Sequence, residues 1–192
     1  MLSGAALRLP RAMCGRFTSR TGEITLAEGG PGGPAGYAVV LSPMAIAGDF
    51  VAGRFPVAVY RIDPPLRATV LPEGLYTDGW SAKQASLSVF ATTGNRRGRL
   101  EVFLSRQDRS YPNPPSARVT ARLAGIDGPG QASSRRAVVD DQRTRRLVFS
   151  TPPPPFRLDV TVDRTFLPTD LGVEDSRELG VRVDYRFTAE RR

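Results

Sequence analysis

The chain has 192 residues and a formal net charge of +8, from 27 lysines and arginines against 19 acidic residues. It contains no histidine, which removes the commonest general base, the Ser-His and Cys-His nucleophile pairs and the usual zinc ligand. Its one cysteine, Cys14, permits neither an intramolecular disulfide nor a cysteine-based metal cage. The composition therefore argues against an enzyme, since catalysis would have to rest on carboxylates, Arg, Tyr or Ser.

The first part of the chain predicts short strands separated by turn residues. Strand-like runs cover residues 22–27, 37–41, 56–62 and 67–71. The segments Asp63-Pro-Pro65 and Pro72-Glu-Gly74 bracket a change to longer and more regular strands. We therefore predict a smaller β-rich N-terminal subregion, residues 1–62, packed on a main β-sandwich, residues 63–192.

The second part alternates apolar and polar residues with the two-residue period of half-buried strands. The predicted strands cover residues 83–92, 99–105, 117–124, 136–140, 145–149, 156–163 and 179–187, with 141–144 as a hairpin loop. In the last strand Val183, Tyr185 and Phe187 fall on one face, and Arg182 and Asp184 on the other. Strands at this spacing, without helical periodicity, predict an all-β fold, namely an antiparallel, jelly-roll-like β-sandwich.

The positive charge does not by itself identify a partner. Of the 27 basic residues only Lys83 is a lysine, a bias typical of a GC-rich genome. The basic clusters lie beside turns and lack the series of aromatic residues that stacks nucleic-acid bases. Nucleic acid is therefore not favoured, and an anionic lipid surface or an acidic glycan fits the charge equally well.

No run of about eighteen apolar residues predicts a transmembrane helix. The N-terminus carries Arg8 and Arg11 without a continuous apolar segment behind them, which makes it a poor signal peptide. The sequence as given is expected to be soluble.

The segment Gly74–Trp80 is the main candidate for sugar binding. Asp78-Gly79 permits a tight turn with positive φ, and Trp80 is the only tryptophan. Trp80 beside Tyr76 could stack a sugar ring while Asp78 accepts its hydroxyls. The favoured alternative is structural: Trp80 plugs one end of the sandwich and Asp78 caps the turn.

Tyr111 is a further candidate for a glycan groove. It begins the rigid segment Tyr111-Pro-Asn-Pro-Pro115. An aromatic residue on such a loop could line a saccharide site, but a turn between two strands explains the segment better.

The acidic residues near the C-terminus, Asp170 and Asp175 among them, are weak candidates for calcium because calcium prefers oxygen ligands. Their spacing matches no compact calcium loop, and an ion pair of Arg177 with Asp175 or Glu174 is the simpler interpretation. No other metal or cofactor is predicted. A glycosidase pair is less favoured still, since nothing marks a carboxylic acid with a raised pKa.

Three segments carry a family resemblance: residues 55–62, Gly74–Ser81 and Leu171–Phe187. They resemble the C-terminal β-sandwich of large polytopic membrane glycosyltransferase-like proteins from high-GC bacteria, a class that includes mycobacterial arabinosyltransferases. Asp78-Gly-Trp-Ser81 and Asp175-Ser-Arg-Glu-Leu-Gly180 are the most specific parts. The resemblance implies an extracytoplasmic module at the cell envelope. The catalytic loop carboxylates of that class have no counterpart here, so it implies no catalysis.

The function predicted from the sequence is a non-catalytic carbohydrate-binding or accessory module that handles cell-envelope glycan. One alternative is a structural or protein-interaction domain that docks on a membrane-protein partner. The other is a glycoside hydrolase that uses carboxylates alone.

Overall fold

The protein is built from antiparallel β-strands, and the computed structural model describes residues 16–19, 22–26, 36–41, 44–54, 57–62, 68–92, 95–126 and 132–190. The strands are β1 (Arg16–Ser19), β2 (Gly22–Leu26), β3 (Gly36–Leu41), β4 (Ala45–Ile46), β5 (Asp49–Arg54), β6 (Val57–Ile62), β7 (Ala68–Leu75), β8 (Ser81–Val89), β9 (Gly98–Ser105), β10 (Ala117–Gly125), β11 (Ser133–Val139), β12 (Arg145–Thr151), β13 (Phe156–Val162) and β14 (Arg182–Ala189). A short 3-10 helix covers Pro168–Leu171. Within the described ranges no helix is long and apolar enough to cross a membrane.

The described strands form three sheets. One sheet has six strands in the order β11-β10-β13-β8-β7-β4, and a second has three in the order β12-β9-β14. These two sheets bury one common core. A third sheet, in the order β1-β2-β3-β6-β5, belongs to the N-terminal part. The main body of the chain is thus an all-β antiparallel sandwich with a β-rich N-terminal part, which confirms the predicted fold class.

The core follows from the alternation in the sequence. Successive side chains of a strand point to opposite faces, so a period of two gathers the apolar residues on one side. Core residues exposed by at most 2% are Leu87, Val119 and Leu158 from the six-stranded sheet, and Leu100, Val102 and Phe149 from the three-stranded sheet. Each such burial contributes about 1.5–3 kcal/mol relative to an exposed side chain.

The last strand closes the smaller sheet. β14 pairs antiparallel with β9, with Val183 opposite Leu104 and Tyr185 opposite Val102. Val183 is buried, Tyr185 and Phe187 are half-buried, and the charged residues between them are exposed. The predicted alternation of this strand is therefore confirmed, and β14 ends the three-stranded sheet.

The segment 141–144 does not form the predicted hairpin. β11 pairs with β10 in the six-stranded sheet, whereas β12 pairs with β9 in the other sheet. The segment therefore crosses from one sheet to the other. Asp140 Oδ1 accepts the amides of Gln142 and Arg143, each at 3.2 Å. Such a side-chain-capped turn suits a crossing as well as a hairpin, which is why the prediction was wrong here.

The N-terminal part has a small core of its own beside the sandwich. Its buried members are Ala38, Val40, Met44, Ile46 and Ile62, and Leu71 of β7 packs against them. β4 pairs with β7, so it extends the six-stranded sheet although it lies inside the predicted N-terminal subregion. The boundary at residue 62 stays a prediction, and residues 1–15 lie outside the described part of the chain.

β5 was not predicted from the sequence. All of its residues are exposed, so no buried face imposes an alternating pattern. Phe50 is 62% exposed and Val51 53% exposed. The strand is defined by its pairing with β6, a tertiary contact that local sequence does not encode.

Candidate functional site

A tight turn at residues 76–80 joins β7 to β8 and carries three of the predicted sugar-site residues. The Gly79 amide donates to the Tyr76 carbonyl at 2.9 Å, and the Tyr76 amide donates to the Trp80 carbonyl at 2.8 Å. Gly79 has φ = 86°, a left-handed conformation that glycine adopts without strain. Asp78 Oδ1 accepts the Trp80 amide at 3.3 Å. The predicted positive-φ turn is confirmed, and Asp78 caps it.

Trp80 lies in the interior of the protein and is 1% exposed. Its ring packs edge-to-face on Tyr111 and Phe166, with centroid separations of 5.4 and 5.5 Å, an arrangement that aromatic rings favour. Leu179 completes this aromatic cluster. A ring buried to this extent presents no face to a sugar. The prediction of Trp80 as an open stacking platform is therefore corrected, and the structural alternative agrees with its burial.

Arg177 connects the other predicted site residues to one another. Its Nη2 lies 2.7 Å from Asp78 Oδ2 and 2.7 Å from Asp175 Oδ2. Its Cζ lies 4.8 Å from the centroid of the Tyr76 ring. The Tyr111 hydroxyl donates to Asp175 Oδ2 at 2.7 Å. These five residues, which we call the Arg177 cluster, confirm the predicted pairing of Arg177 with Asp175.

Contacts within the Arg177 cluster shift the pKa values of Asp175, Arg177 and Tyr111. The pKa of the Asp175 carboxyl lies well below its usual range, mainly because the carboxylate accepts hydrogen bonds from Arg177. The hydrogen bond to Asp175 in turn raises the pKa of the Arg177 guanidinium. Burial, followed by the bond to Asp175, raises the pKa of the Tyr111 hydroxyl. Asp175 and Arg177 thus stay ionised, and Tyr111 stays protonated, through the neutral range.

The calcium candidates do not converge on a cation site. Asp170 is exposed on the 3-10 helix, and the Asp175 carboxylate already accepts bonds from Arg177 and Tyr111. Within the described ranges, no three acidic, cysteine or histidine residues are grouped to hold a metal ion. The geometry therefore gives calcium no support.

Arg106 is a structural residue that the sequence analysis did not single out. Its side chain is fully buried. Nε donates to the Gly180 carbonyl at 2.9 Å, Nη2 donates to the Arg164 carbonyl at 2.6 Å, and Nη1 donates to the Pro115 carbonyl. Cζ lies 5.3 Å from the centroid of Phe166. Burial lowers its pKa to about 10, so the guanidinium remains cationic at neutral pH while it ties three loops together.

An open groove of ≈ 830 Å³ lies along β14. Met44 from the N-terminal part lines it together with Phe103 of β9 and with Val183 and Tyr185 of β14. The Tyr185 ring is half-buried, and this burial raises the pKa of its hydroxyl to about 12. The groove therefore offers apolar surface and a phenol that is neutral at physiological pH.

Polar side chains line the same groove. They are Asp78, Gln107, Arg182 and Asp184. Asp184 lies directly opposite Phe103 in the pairing of β14 with β9, so a carboxylate and an aromatic ring neighbour each other on the outward face. Asp78 also belongs to the Arg177 cluster, which links the groove to the interior of the protein.

A second cavity of ≈ 650 Å³ continues the first, because Gln107 and Arg182 line both. It adds Asp108, Arg109 and Asp141. Arg182 Nη1 lies 3.6 Å from Asp108 Oδ2. We refer to the two cavities together as the β14 groove.

The β14 groove could not be predicted from the sequence pattern, because its residues come from separate strands and loops and only the tertiary fold brings them together.

The four predicted sugar-site residues are placed differently with respect to the β14 groove. Asp78 lines the first cavity and Tyr111 lines the second, but Tyr111 is only 7% exposed. Tyr76 stacks against Arg177, and Trp80 is buried. Asp78 is therefore the one of the four with a half-exposed polar group on the groove.

Comparison with known proteins gives one structural likeness. No family model matches the chain, and no curated protein matches its sequence. The chain is similar in structure to a carbohydrate-binding module, TmCBM61, solved in complex with β-1,4-galactotriose, at 13% sequence identity and a TM-score of 0.36. The match covers 78% of this chain and 90% of the other. A likeness at this TM-score carries no argument about function.

Proposed function

We propose that this chain is a non-catalytic carbohydrate-binding module. The observation that carries the proposal is the β14 groove, in which apolar surface and side chains that can bond hydroxyls line one open depression. Binding sites for small organic ligands are concave, and they combine apolar lining with a few polar groups that fix orientation.

The apolar surface of the groove suits the carbon face of a sugar ring. Phe103 lies on the outward face opposite Asp184 and is half-buried, so part of its ring is supported by the protein and part remains accessible. Aromatic side chains provide large apolar contact area with little loss of conformational freedom. A pyranose ring packed against Phe103 would lose water from its C–H face.

The polar side chains of the groove suit the hydroxyl groups of a sugar. Asp184 and Gln107 are exposed. A carboxylate accepts hydrogen bonds through two oxygens, whereas a carboxamide both donates and accepts. Asp184 lies opposite Phe103, four residues from Gln107, so the two side chains can bond hydroxyls at different points of a saccharide that spans the groove.

A binding role is favoured over hydrolysis because two of the groove carboxylates are already committed to arginines. Asp78 pairs with Arg177 at 2.7 Å, and Asp108 pairs with Arg182 at 3.6 Å. A glycoside hydrolase needs one carboxyl group that holds a proton and a second one placed to act as base or nucleophile. Carboxylates held by guanidinium groups are poorly suited to donate a proton to a glycosidic oxygen.

We extend the proposal to an extracytoplasmic accessory module that handles cell-envelope glycan. The support is the sequence resemblance to glycosyltransferase-associated sandwiches. Its two most specific segments touch in the fold: Arg177 binds Asp78, and the Gly180 amide donates to the Ser81 carbonyl at 2.7 Å. Segments distant in sequence that form one contact surface are expected to have a joint role.

Saccharide binding to groove variants tests the proposal. We expect the double variant Asp184→Ala, Gln107→Ala to raise the Kd at least tenfold for the neutral polysaccharide that the wild type binds most tightly. The reason is that hydrogen bonds contribute about 1 kcal/mol each. Arg122→Ala, an exposed change on the six-stranded sheet, serves as the control. Equal binding by wild type and the double variant, with both folded by circular dichroism, would refute the groove as the site.

A second candidate function is docking on a membrane-protein partner, and the exposure of β5 favours it. Phe50 and Val51 are exposed on a strand that ends the N-terminal sheet, and such an edge can accept another strand. Co-sedimentation with bacterial membrane vesicles tests this. It should be lost in Phe50→Ser, Val51→Ser and retained in the groove double variant.

A further inference from the structure

The charge of the β14 groove differs in sign from the charge of the chain. The chain carries a net charge of +8. The groove is lined by four carboxylates, Asp78, Asp108, Asp141 and Asp184, and by two guanidinium groups, Arg109 and Arg182. The lining residues therefore carry two more negative than positive charges, and Arg177, which pairs with Asp78 from outside the lining, offsets one of them.

One of the two groove arginines, Arg182, already has a carboxylate partner in the protein. Arg182 Nη1 lies 3.6 Å from Asp108 Oδ2, so a carboxylate or sulfate would have to compete with a partner that the fold supplies. Arg109 is exposed and makes no ion pair with any carboxylate in the described part of the chain. Recognition of a carboxylate or sulfate favours a bidentate guanidinium fork held in place, and neither residue provides one.

Three arginines near the groove, Arg99, Arg145 and Arg146, pair with carboxylates of the protein. Arg145 Nη2 lies 3.5 Å from Asp140 Oδ2, and Glu101 pairs with both Arg99 and Arg146. The pKa of Glu101 is lowered, mainly because its carboxylate accepts a hydrogen bond from Arg146. Part of the basic charge around the groove is thus offset by carboxylates of the protein itself.

We infer that the β14 groove takes an uncharged saccharide and excludes uronate and sulfated polysaccharides. This inference rests on the proposed function and specifies the class of ligand. The ionised carboxylates of the groove repel a polyanion, whereas a neutral sugar bonds them through its hydroxyls. The net charge of +8 acts instead through exposed arginines outside the groove, and it attracts polyanions weakly and without a defined site.

Salt dependence separates the two kinds of binding, because salt screens exposed charges beyond about 10 Å at 0.1 M. We would measure the full chain against immobilised neutral galactan and mannan, polygalacturonate and dextran sulfate, each at 20 and 300 mM NaCl. The neutral polysaccharide should bind with a Kd that changes less than about twofold between the two salt concentrations. Polyanion binding should fall at least about tenfold.

Variants that neutralise carboxylates test whether the groove itself repels polyanions. Asp141→Asn, Asp184→Asn should strengthen association with polygalacturonate at 20 mM NaCl by about threefold or more. The matched control, Asp170→Asn, Glu174→Gln, removes two exposed carboxylates outside the groove lining. If the groove variant and the control variant strengthen polygalacturonate binding equally, net charge alone governs polyanion binding. That result would refute the inference that the groove excludes polyanions.

The outcomes distinguish this inference from the function on which it rests. If polyanions still bind at 300 mM NaCl, and Arg182→Gln weakens that binding, the groove does not select neutral saccharides. This result would refute the ligand class but not carbohydrate binding itself. Absence of any polysaccharide binding at 300 mM NaCl would overturn both. Salt-resistant binding of a neutral polysaccharide, lost in Asp184→Ala, Gln107→Ala, supports both.

Discussion

Arg177 Nη2 lies 2.7 Å from Asp78 Oδ2, although 99 residues separate the two in the sequence. The same guanidinium binds Asp175 and covers the Tyr76 ring. The contact fixes the loop before β14 to the turn before β8, and this turn contributes Asp78 to the β14 groove. Stability and groove shape are therefore coupled through one side chain.

Replacing Arg177 should loosen this connection. Arg177→Ala removes both ion pairs and the contact with Tyr76, and we expect a loss of about 1–3 kcal/mol in the free energy of unfolding, reduced by partial solvent screening. Arg177→Lys should recover less than half of this, since lysine lacks the planar fork. Urea denaturation of the three proteins measures it. Equal stability of wild type and the alanine variant would show that the cluster contributes nothing to the fold.

The burial of Trp80 predicts that it acts on stability and not on ligand contact. Trp80→Ala should cost about 3–5 kcal/mol, because it empties a packed aromatic site, and Trp80→Phe should cost less. Since Trp80 is the only tryptophan, its fluorescence is a specific probe. We expect blue-shifted emission, weak quenching by iodide and no response to saccharide. Strong quenching in the folded protein would contradict the interior position.

Arg106 should be among the most sensitive positions in the chain. Arg106→Met keeps much of the side-chain volume but leaves the carbonyls of Pro115, Arg164 and Gly180 without their donor. We expect it to lower the free energy of unfolding by about 3–5 kcal/mol. The matched change Arg122→Met, at an exposed site, should cost less than about 0.5 kcal/mol. Thermal unfolding compares the two variants. Similar melting temperatures would mean that the buried hydrogen bonds of Arg106 do not stabilise the fold.

The Asp175–Arg177 pair predicts a loss of stability in acid. The folded-state pKa of Asp175 lies below its ordinary value of 3.8. The ionised carboxylate therefore contributes stability above about pH 4, and this contribution is lost as the pH falls through the folded-state pKa. Asp175→Asn should show a smaller drop in melting temperature between pH 6 and pH 2 than wild type, whereas the exposed change Asp170→Asn should follow wild type. Parallel curves for wild type and Asp175→Asn would exclude this pair as a source of the acid sensitivity.

The sequence predicted the sandwich because alternation is a local property. β13 and β14 each bury one face, and residues such as Leu158 and Val183 reveal it at a period of two. The crossing at 141–144 could not be predicted, since turn residues do not encode which sheet the next strand joins. β5 escaped prediction because it has no buried face.

The site was less accessible to prediction than the fold. The sequence indicated Tyr76 and Asp78 in one segment and Tyr111 separately in another, and the structure brings the three together around Arg177. For Trp80 the sequence favoured a buried structural role, but a lone tryptophan beside a turn also suits a binding platform, and only the fold shows that the ring is buried. The groove itself depends on residues such as Gln107 and Asp184, whose side chains look like ordinary solvated positions in the sequence.

The most direct test of the account is an NMR titration of the ¹⁵N-labelled chain with a neutral oligosaccharide of three to five sugar units at 300 mM NaCl. The account predicts that the largest amide shifts fall on Gln107, Asp184 and Tyr185, and that Arg122 and Thr161 on the six-stranded sheet do not move. Saturable shifts centred on Arg122 and Thr161, with Asp184 unchanged, would contradict the β14 groove as the saccharide site.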